Sequence, residues 1–157
     1  MEFASTAAPT ADDSYHLTSS LAGRVEVSKA ANFMRAYLWV SLGAILGANL
    51  RYFLSRLAAK LVSTNFPYGT LLINITGSFI LGLFMIWTTE RVFADPKWRW
   101  LVAIGFCGSY TTFSSYAFET IAYFEQGHWN LFALNILSNN VLCLAAVIAG
   151  AAVARGV

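Results

Sequence analysis

The sequence predicts an all-α membrane protein with four transmembrane helices in each subunit. Of its 157 residues, 57% are hydrophobic and only 11% are charged, and the mean hydropathy is +0.58. Soluble domains of ordinary composition carry about 25% charged residues. The apolar residues are gathered in four runs, each long enough to cross the roughly 30 Å hydrocarbon core of a bilayer as a helix. These observations together predict that the chain folds within a membrane.

The chain begins with a polar segment, and we expect residues 1–33 to form a tail that is disordered or at most a short surface helix. The segment is rich in Ala, Ser and Thr and holds no continuous apolar stretch of the kind that a secretory signal needs. Its four acidic residues argue against an organellar transit peptide. The membrane domain is therefore predicted to cover residues 34–157.

The four predicted helices are separated by short polar linkers. Pro67 and Pro96 lie in two of the linkers, where a residue that ends helices is expected. The side of the membrane that holds both termini carries seven Lys and Arg residues, against three on the other side. This excess favours cytoplasmic termini in a multi-pass protein of the cell membrane. The predicted helices cover approximately residues 36–59, 68–89, 100–124 and 130–154.

The third run combines membrane-spanning length with unusual polarity. Residues 100–118 carry no charge, yet seven of the fifteen residues in GFCGSYTTFSSYAFE, residues 105–119, carry a hydroxyl. Lipid offers those hydroxyls no partner, so they are expected to face protein, water or a solute. Gly108 supplies the backbone freedom that an interruption needs. We therefore predict that the third helix is broken near its middle, in the segment Gly-Ser-Tyr-Thr-Thr.

Polar side chains form stripes at helical spacing on three of the four predicted helices. Such stripes occur where helices bond to one another, and they also occur along ion pathways. Arg51 adds a charge inside the first span, which marks a functional site by default. Gly43 and Gly47, four residues apart, are interpreted as a helix-packing surface. The stripes comprise Thr70, Asn74, Gly77 and Ser78; Thr112, Ser115, Tyr116 and Glu119; and Asn135, Asn139 and Cys143.

The chemistry of these stripes favours the passage of a small anion. Amides and hydroxyls donate hydrogen bonds without carrying charge. The ring edges of Phe113 and Tyr116 are positively polarised, so an anion prefers an edge to a face. No carboxylate pair or Ser-His-Asp set is present, so we assign no catalytic residue and do not expect an enzyme. The formal charge of +2, with scattered basic residues, gives no patch for nucleic acid.

Two other functions are compatible with the stripes. A small secondary transporter of cations or drugs would need a carboxylate within the membrane, and Glu119, near the end of the third span, is the only candidate. A non-transporting membrane subunit would use the stripes only to hold its helices together, and Cys143 would then be a small packing residue. We rank the channel first, the transporter second and the structural subunit third.

The sequence also resembles the Fluc (CrcB-type) fluoride channels, over about residues 43–150. The resemblance is carried by GANLRY in the first helix, YGTLLINITGSFILG in the second and GFCGSYTTFSSY in the third. It implies a channel that exports fluoride passively and so lowers cytoplasmic fluoride. It further implies an antiparallel, dual-topology homodimer in membrane lipid, with two fluoride pores and a structural sodium ion at the dimer centre.

The resemblance also assigns roles to individual residues. Phe113 and Tyr116 would be the aromatic fluoride ligands, although the family most often has Phe where this chain has Tyr116. The backbone carbonyls of Gly108 and Thr111 would hold the sodium ion. The remaining fluoride pore residues would be Asn74, Ser115, Thr70, Asn139 and Asn135, with Cys143 beside them, Arg51 in the vestibule and Glu119 at the pore mouth.

Overall fold

Helices are the only regular secondary structure in the part of the chain that the structure describes. The computed structural model describes residues 11–62, 65–90 and 95–156, with the side chains of residues 23, 24 and 26 onward in those ranges. The prediction of an all-helical protein is confirmed for these residues. The elements are α1 (Ala11–Leu61), α2 (Tyr68–Glu90), α3 (Pro96–Trp98), a π-helix (Arg99–Cys107), α4 (Gly108–Tyr110), α5 (Phe113–Glu125) and α6 (Trp129–Gly156).

Three helical stretches among the described residues are long and apolar enough to cross a membrane. They are Glu26–Leu61, Tyr68–Glu90 and Trp129–Gly156. They contain the first, second and fourth predicted spans, because a long apolar run without proline favours one uninterrupted helix. The third predicted span is built differently: α3, the π-helix, α4 and α5 follow one another in place of a single helix.

The polar N-terminal segment forms part of a helix. The chain divides into two compact units, Met1–Arg35 and Ala36–Val157. Residues 11–33, predicted as a disordered tail or short surface helix, are helical, whereas residues 1–10 lie outside the described residues. No proline occurs between residues 11 and 35, so nothing removes a backbone donor there. Glu26 and Lys29 form an ion pair of 3.1 Å at i, i+3 spacing, an arrangement that supports helices.

The predicted glycine surface of α1 packs against the π-helix. A Cβ at Gly43 would lie 2.0 Å from the carbonyl oxygen of Leu101, and one at Gly47 would lie 2.3 Å from that of Phe106. Side chains larger than hydrogen therefore cannot occupy these positions without moving the backbones apart. The interpretation of Gly43 and Gly47 as a packing surface is confirmed. The π-helix itself was not predicted; its wider turns are uncommon and often occur near functional sites.

Helices α2 and α6 lie side by side and run in the same direction. Their backbones approach closely at two glycines: a Cβ at Gly82 or Gly150 would lie 2.3 or 2.2 Å from a carbonyl oxygen of the other helix. Contacts join Asn74 to Asn139, Gly82 to Val147 and Glu90 to Arg155, at a constant offset along both helices. This pair forms the wall against which α5 is placed.

A tight turn reverses the chain between α5 and α6. Gly127 adopts φ +72°, a left-handed conformation that glycine adopts without steric cost. The N–H of His128 then donates to the carbonyl of Tyr123 (2.9 Å), which closes the end of α5. As a result α5 runs antiparallel to α6, and its polar residues face those of α2 and α6.

Candidate ion pathway

The polar part of the third segment is built around an interruption of the helix. Thr111 and Thr112 have extended conformations, with ψ values of 155° and 103°. In an uninterrupted helix, the N–H of Thr112 would donate to the carbonyl of Gly108 four residues earlier. It donates instead to Oδ1 of Asn74, at 2.8 Å. The predicted break is therefore confirmed, and it falls between Tyr110 and Phe113.

Asn74 on α2 satisfies both backbone groups of Thr112. Its Oδ1 accepts from the Thr112 N–H, and its Nδ2 donates to the Thr112 carbonyl at 3.2 Å. The second Nδ2 hydrogen goes to Oδ1 of Asn139 on α6, also at 3.2 Å. Since Thr112 is buried, these bonds replace those that a helix would have made. Both amide hydrogens of Asn74 are given to protein oxygens, so its role as an anion donor stays a prediction.

A chain of amide hydrogen bonds continues from Asn74 along α6. Nδ2 of Asn139 donates to the carbonyl and to Oδ1 of Asn135, at 3.2 and 2.9 Å. Nδ2 of Asn135 donates to Oγ1 of Thr120 on α5, at 2.9 Å. Asn135 and Asn139 are 0% and 5% exposed. The two predicted α6 residues thus lie inside the helix bundle, where they connect α2, α5 and α6.

Two clefts lie on either side of this hydrogen-bonded centre. The first, called the ring cleft because the rings of Phe113 and Tyr116 line it, has a volume of about 330 Å³. The second, called the carboxylate cleft because Glu119 lines it, has a volume of about 550 Å³. Asn74 and Thr111 line the former and Ser115 lines the latter, so residues at the break contribute to both clefts. The ring cleft is lined by Asn74, Ser78, Phe113, Tyr116, Asn139 and Cys143, among others, and the carboxylate cleft by Ser55, Pro67, Thr70, Ser115 and Glu119.

The two predicted aromatic ligands meet at the ring cleft. The rings of Phe113 and Tyr116 lie 5.5 Å apart, centre to centre, with an interplanar angle of 64°. This edge-to-face geometry is the preferred one for aromatic pairs. Phe113 is 77% exposed in the single chain. The hydroxyl of Tyr116 accepts a hydrogen bond from Nδ2 of Asn140, at 3.1 Å.

Glu119 lies in the carboxylate cleft with one partner. Oγ1 of Thr70 donates to its Oε1 at 2.6 Å, while Oε2 is buried and has no hydrogen-bond partner among the described residues. The structure therefore brings two predicted site residues together at one end of the polar centre. Arg51 is half-buried and lines neither cleft. Its predicted place in a vestibule stays a prediction.

The predicted sodium ligands are the carbonyls that the break releases. The N–H of Thr112 no longer reaches the carbonyl of Gly108, because it bonds to Asn74. The N–H of Ser115 no longer reaches the carbonyl of Thr111, because it donates to Oγ1 of Thr112, the N-cap of α5, at 3.1 Å. A Cβ at Gly108 would meet nothing within 4 Å, so its surroundings are open. Carbonyls released where a membrane helix unwinds are suitable ligands for sodium.

The sequence did not predict the roles of three residues at the site: Thr112, which was placed only in a polar stripe, and Thr120 and Asn140, which were not singled out. Thr112 caps α5, and a Thr at the start of a helix after a break is a signal that could have indicated this. Thr120 receives the bond from Asn135 and donates to the carbonyl of Tyr116 at 2.6 Å. Asn140 holds the Tyr116 hydroxyl. No spacing rule identifies these last two, since each depends on how α5 is rotated against α6.

These features define a class of protein. Backbone that is not helical within a membrane protein is tolerated where it is buried in protein or lines a water-filled cavity. Here the break, the buried amides and the two clefts form one polar connection between α2, α5 and α6, as in a membrane transport protein. Residues 38–151 match the family described as CrcB-like protein, Camphor Resistance (CrcB), and the chain belongs to this family.

Individual relatives agree with this assignment. The chain is 68% identical over 124 residues to a fluoride-specific ion channel FluC from Koribacter versatilis (strain Ellin345), covering 79% of this chain and 98% of the relative. A protein of the same name from Sulfurihydrogenibium sp. (strain YO3AOP1) is 45% identical over 122 residues, covering 78% of this chain and 98% of the relative. A third, from Roseiflexus sp. (strain RS-1), is 43% identical over 116 residues, covering 74% and 94%. The resemblance inferred from the sequence is confirmed.

The geometry of the break generates a prediction for Asn74. Asn74→Leu leaves the N–H and carbonyl of Thr112 without partners, and each orphaned buried group costs about 1–3 kcal/mol. We expect a lower melting temperature in detergent and loss of ion flux in liposomes. Ser78→Ala, one turn further along the same face, serves as the control because Ser78 makes no bond to Thr112. Equal melting temperatures for the two variants would contradict the role given to Asn74.

Proposed function

We propose that this chain is a fluoride-selective ion channel that exports fluoride passively across the cell membrane and so lowers cytoplasmic fluoride. The observation that carries the proposal is the polar connection between the two clefts, in a chain whose relatives are named fluoride-specific ion channels. The connection offers uncharged groups and aromatic ring edges. An anion that gives up water there binds favourably enough to enter and weakly enough to leave.

The groups along the connection suit a compact anion. Phe113 and Tyr116 present positively polarised ring edges at the ring cleft. Ser115 presents a hydroxyl at the carboxylate cleft. Glu119 ends the path on that side, where Thr70 holds one of its oxygens. Because none of the described residues that line the two clefts carries a positive charge, the anion has no strong trap along its way.

We propose that four spans make up each subunit. Since α2 and α6 are parallel, the chain between them has to cross the membrane once more. The third span is then the broken segment from Pro96 to Glu125, and Glu26–Leu61 supplies the first. This arrangement supports the four-helix topology predicted from the sequence.

The functional unit is an antiparallel, dual-topology homodimer with two pores. Two features of the single chain support it. Phe113 is exposed although it is a pore ligand in this proposal, and a ligand ring at a pore needs a covering surface. The side of Gly108 is open as well. A two-fold axis beside Gly108 would place a second copy of the chain against both Phe113 and the open side of Gly108.

A structural sodium ion at the dimer centre completes the proposal. Each chain offers the released carbonyls of Gly108 and Thr111, so two chains together would offer four oxygens. The ion, when bound, would supply the positive charge that satisfies these carbonyls and so stabilises the break. Among the described residues no cluster of three or more His, Cys, Asp or Glu side chains could hold a metal. The proposal assigns the ion to the backbone carbonyls that the break releases.

Efflux from liposomes tests the proposed function. We expect purified protein to release fluoride rapidly and chloride far more slowly, because the ligands suit a small anion that accepts hydrogen bonds strongly. Ion electrodes follow both anions, with and without an imposed pH gradient. Chloride efflux as fast as fluoride efflux would contradict the proposal, and flux that follows the pH gradient would favour a proton-coupled transporter acting through Glu119.

Replacing the two rings separates their role in conduction from packing. Phe113→Ile and Tyr116→Ile keep apolar volume, and such swaps usually cost less than about 1.5 kcal/mol of stability. An aliphatic chain has no polarised edge, so we expect fluoride efflux to fall sharply while the elution profile of the protein stays normal. The control is Phe118→Ile, a ring on α5 that lines neither cleft. Unchanged efflux in both ring variants would show that these rings only pack.

A further inference from the structure

The hydrogens of the polar connection are mostly occupied by protein acceptors. Asn74 gives both amide hydrogens to Thr112 and Asn139, and Asn139 gives its own to two oxygens of Asn135. The hydroxyls of Thr70 and Thr112 are also donated within the protein. They bond to Oε1 of Glu119 at 2.6 Å and to Oγ of Ser115 at 2.9 Å. These four side chains therefore have no hydrogen left for a passing anion, whereas Ser115, which accepts from Thr112, keeps its own O–H at the carboxylate cleft.

The hydroxyl of Tyr116 is differently placed. Its oxygen accepts from Nδ2 of Asn140 at 3.1 Å, and no other hydrogen bond involves it among the described residues. A phenol that accepts one bond still has its own O–H to give. Both Tyr116 and Asn140 line the ring cleft. The hydroxyl with the free hydrogen therefore belongs to one of the two rings that line this cleft.

Asn140 cannot itself serve the anion as a donor. One Nδ2 hydrogen goes to Tyr116, and the other goes back to the carbonyl of Ile136 at 2.8 Å. The bond to Ile136 fixes the amide against its own helix, and the amide in turn fixes the phenol oxygen of Tyr116. Asn140 therefore fixes the position of the Tyr116 hydroxyl oxygen and leaves the hydroxyl hydrogen available to another acceptor.

We propose that the Tyr116 hydroxyl is an anion-binding donor in the ring cleft and that Asn140 is its positioning residue. The ligand is a small monovalent anion that accepts hydrogen bonds strongly, which in this protein is fluoride. This inference rests on the proposed function and adds a hydroxyl contact to the ring-edge contact of Tyr116. The ring edge is the contact that the anion needs in order to pass, and the hydroxyl increases the occupancy of the site by the anion.

The test compares the wild-type protein with Asn140→Leu, Tyr116→Phe and the double variant. We measure fluoride efflux from liposomes and the fluoride concentration that gives half-maximal current. Each single variant is expected to retain transport at a rate about 3- to 10-fold lower, the effect of about one hydrogen bond. The half-maximal concentration is expected to rise by a similar factor. The double variant should be no slower than the slower single variant, since both remove the same interaction.

Asn49→Leu is the matched control. Asn49 bonds back to the carbonyl of Ile45 at 2.7 Å on an exposed face of α1, as Asn140 does to Ile136, but it holds no tyrosine. We expect wild-type efflux and half-maximal concentration from this control, and elution profiles like the wild type for all variants. If adding Asn140→Leu to Tyr116→Phe slows efflux further, the proposal is overturned.

Two further results are decisive. If Tyr116→Phe leaves both the efflux rate and the half-maximal concentration unchanged, the hydroxyl is no donor and this inference fails while the channel function stands. If the wild-type protein carries no fluoride, the proposed function fails and the inference fails with it. The two failures are therefore distinguished by the wild-type measurement alone.

Discussion

One asparagine side chain allows the third segment to leave the helical conformation inside the protein. A break in a membrane helix exposes backbone groups that lipid cannot satisfy. Asn74 accepts from the N–H of Thr112 and donates to its carbonyl, so a single amide from α2 replaces both backbone partners. Its remaining hydrogen binds Asn139. Without this side chain the extended conformation of Thr112 would have no source of compensation in the described structure.

The other features of the site follow from this interaction. Because Thr112 is held outside the helix, its hydroxyl caps α5, and α5 begins at Phe113. The start of α5 at this residue places Phe113 and Tyr116 at the ring cleft and Ser115 at the carboxylate cleft. The break can lie close to α2 only because residue 77 is glycine: a Cβ there would lie 2.4 Å from Cγ2 of Thr111. The break thus creates the two clefts and the released carbonyls together.

The sequence predicted which polar residues share a helix face and where the third helix is interrupted, but it did not predict which residues are hydrogen-bonded to one another. Spacing of four residues identified Thr70 and Asn74, and Asn135 and Asn139, because such residues share a helix face whatever surrounds the helix. The concentration of hydroxyls after Gly108 indicated the break. The hydrogen bond between Asn74 and Thr112 was not predictable, since it depends on the rotation of α2 against a segment 38 residues away. The π-helix was not predicted, and the sequence left open whether residues 11–33 are a disordered tail or a helix. The reason is related: composition distinguishes polar from apolar segments, but it does not distinguish one helix geometry from another or from coil.

If fluoride passes through the ring cleft, modification of a residue in that cleft should block it, and the two native cysteines allow a direct test. Cys143 lines the cleft, whereas Cys107 is buried elsewhere. The measurement is fluoride efflux from liposomes after treatment with a small uncharged methanethiosulfonate, with modification quantified by mass spectrometry. We expect modification to stop most fluoride efflux in Cys107→Ser, which retains Cys143, and to have no effect in Cys143→Ser. Unchanged efflux from Cys107→Ser with Cys143 fully modified would contradict it.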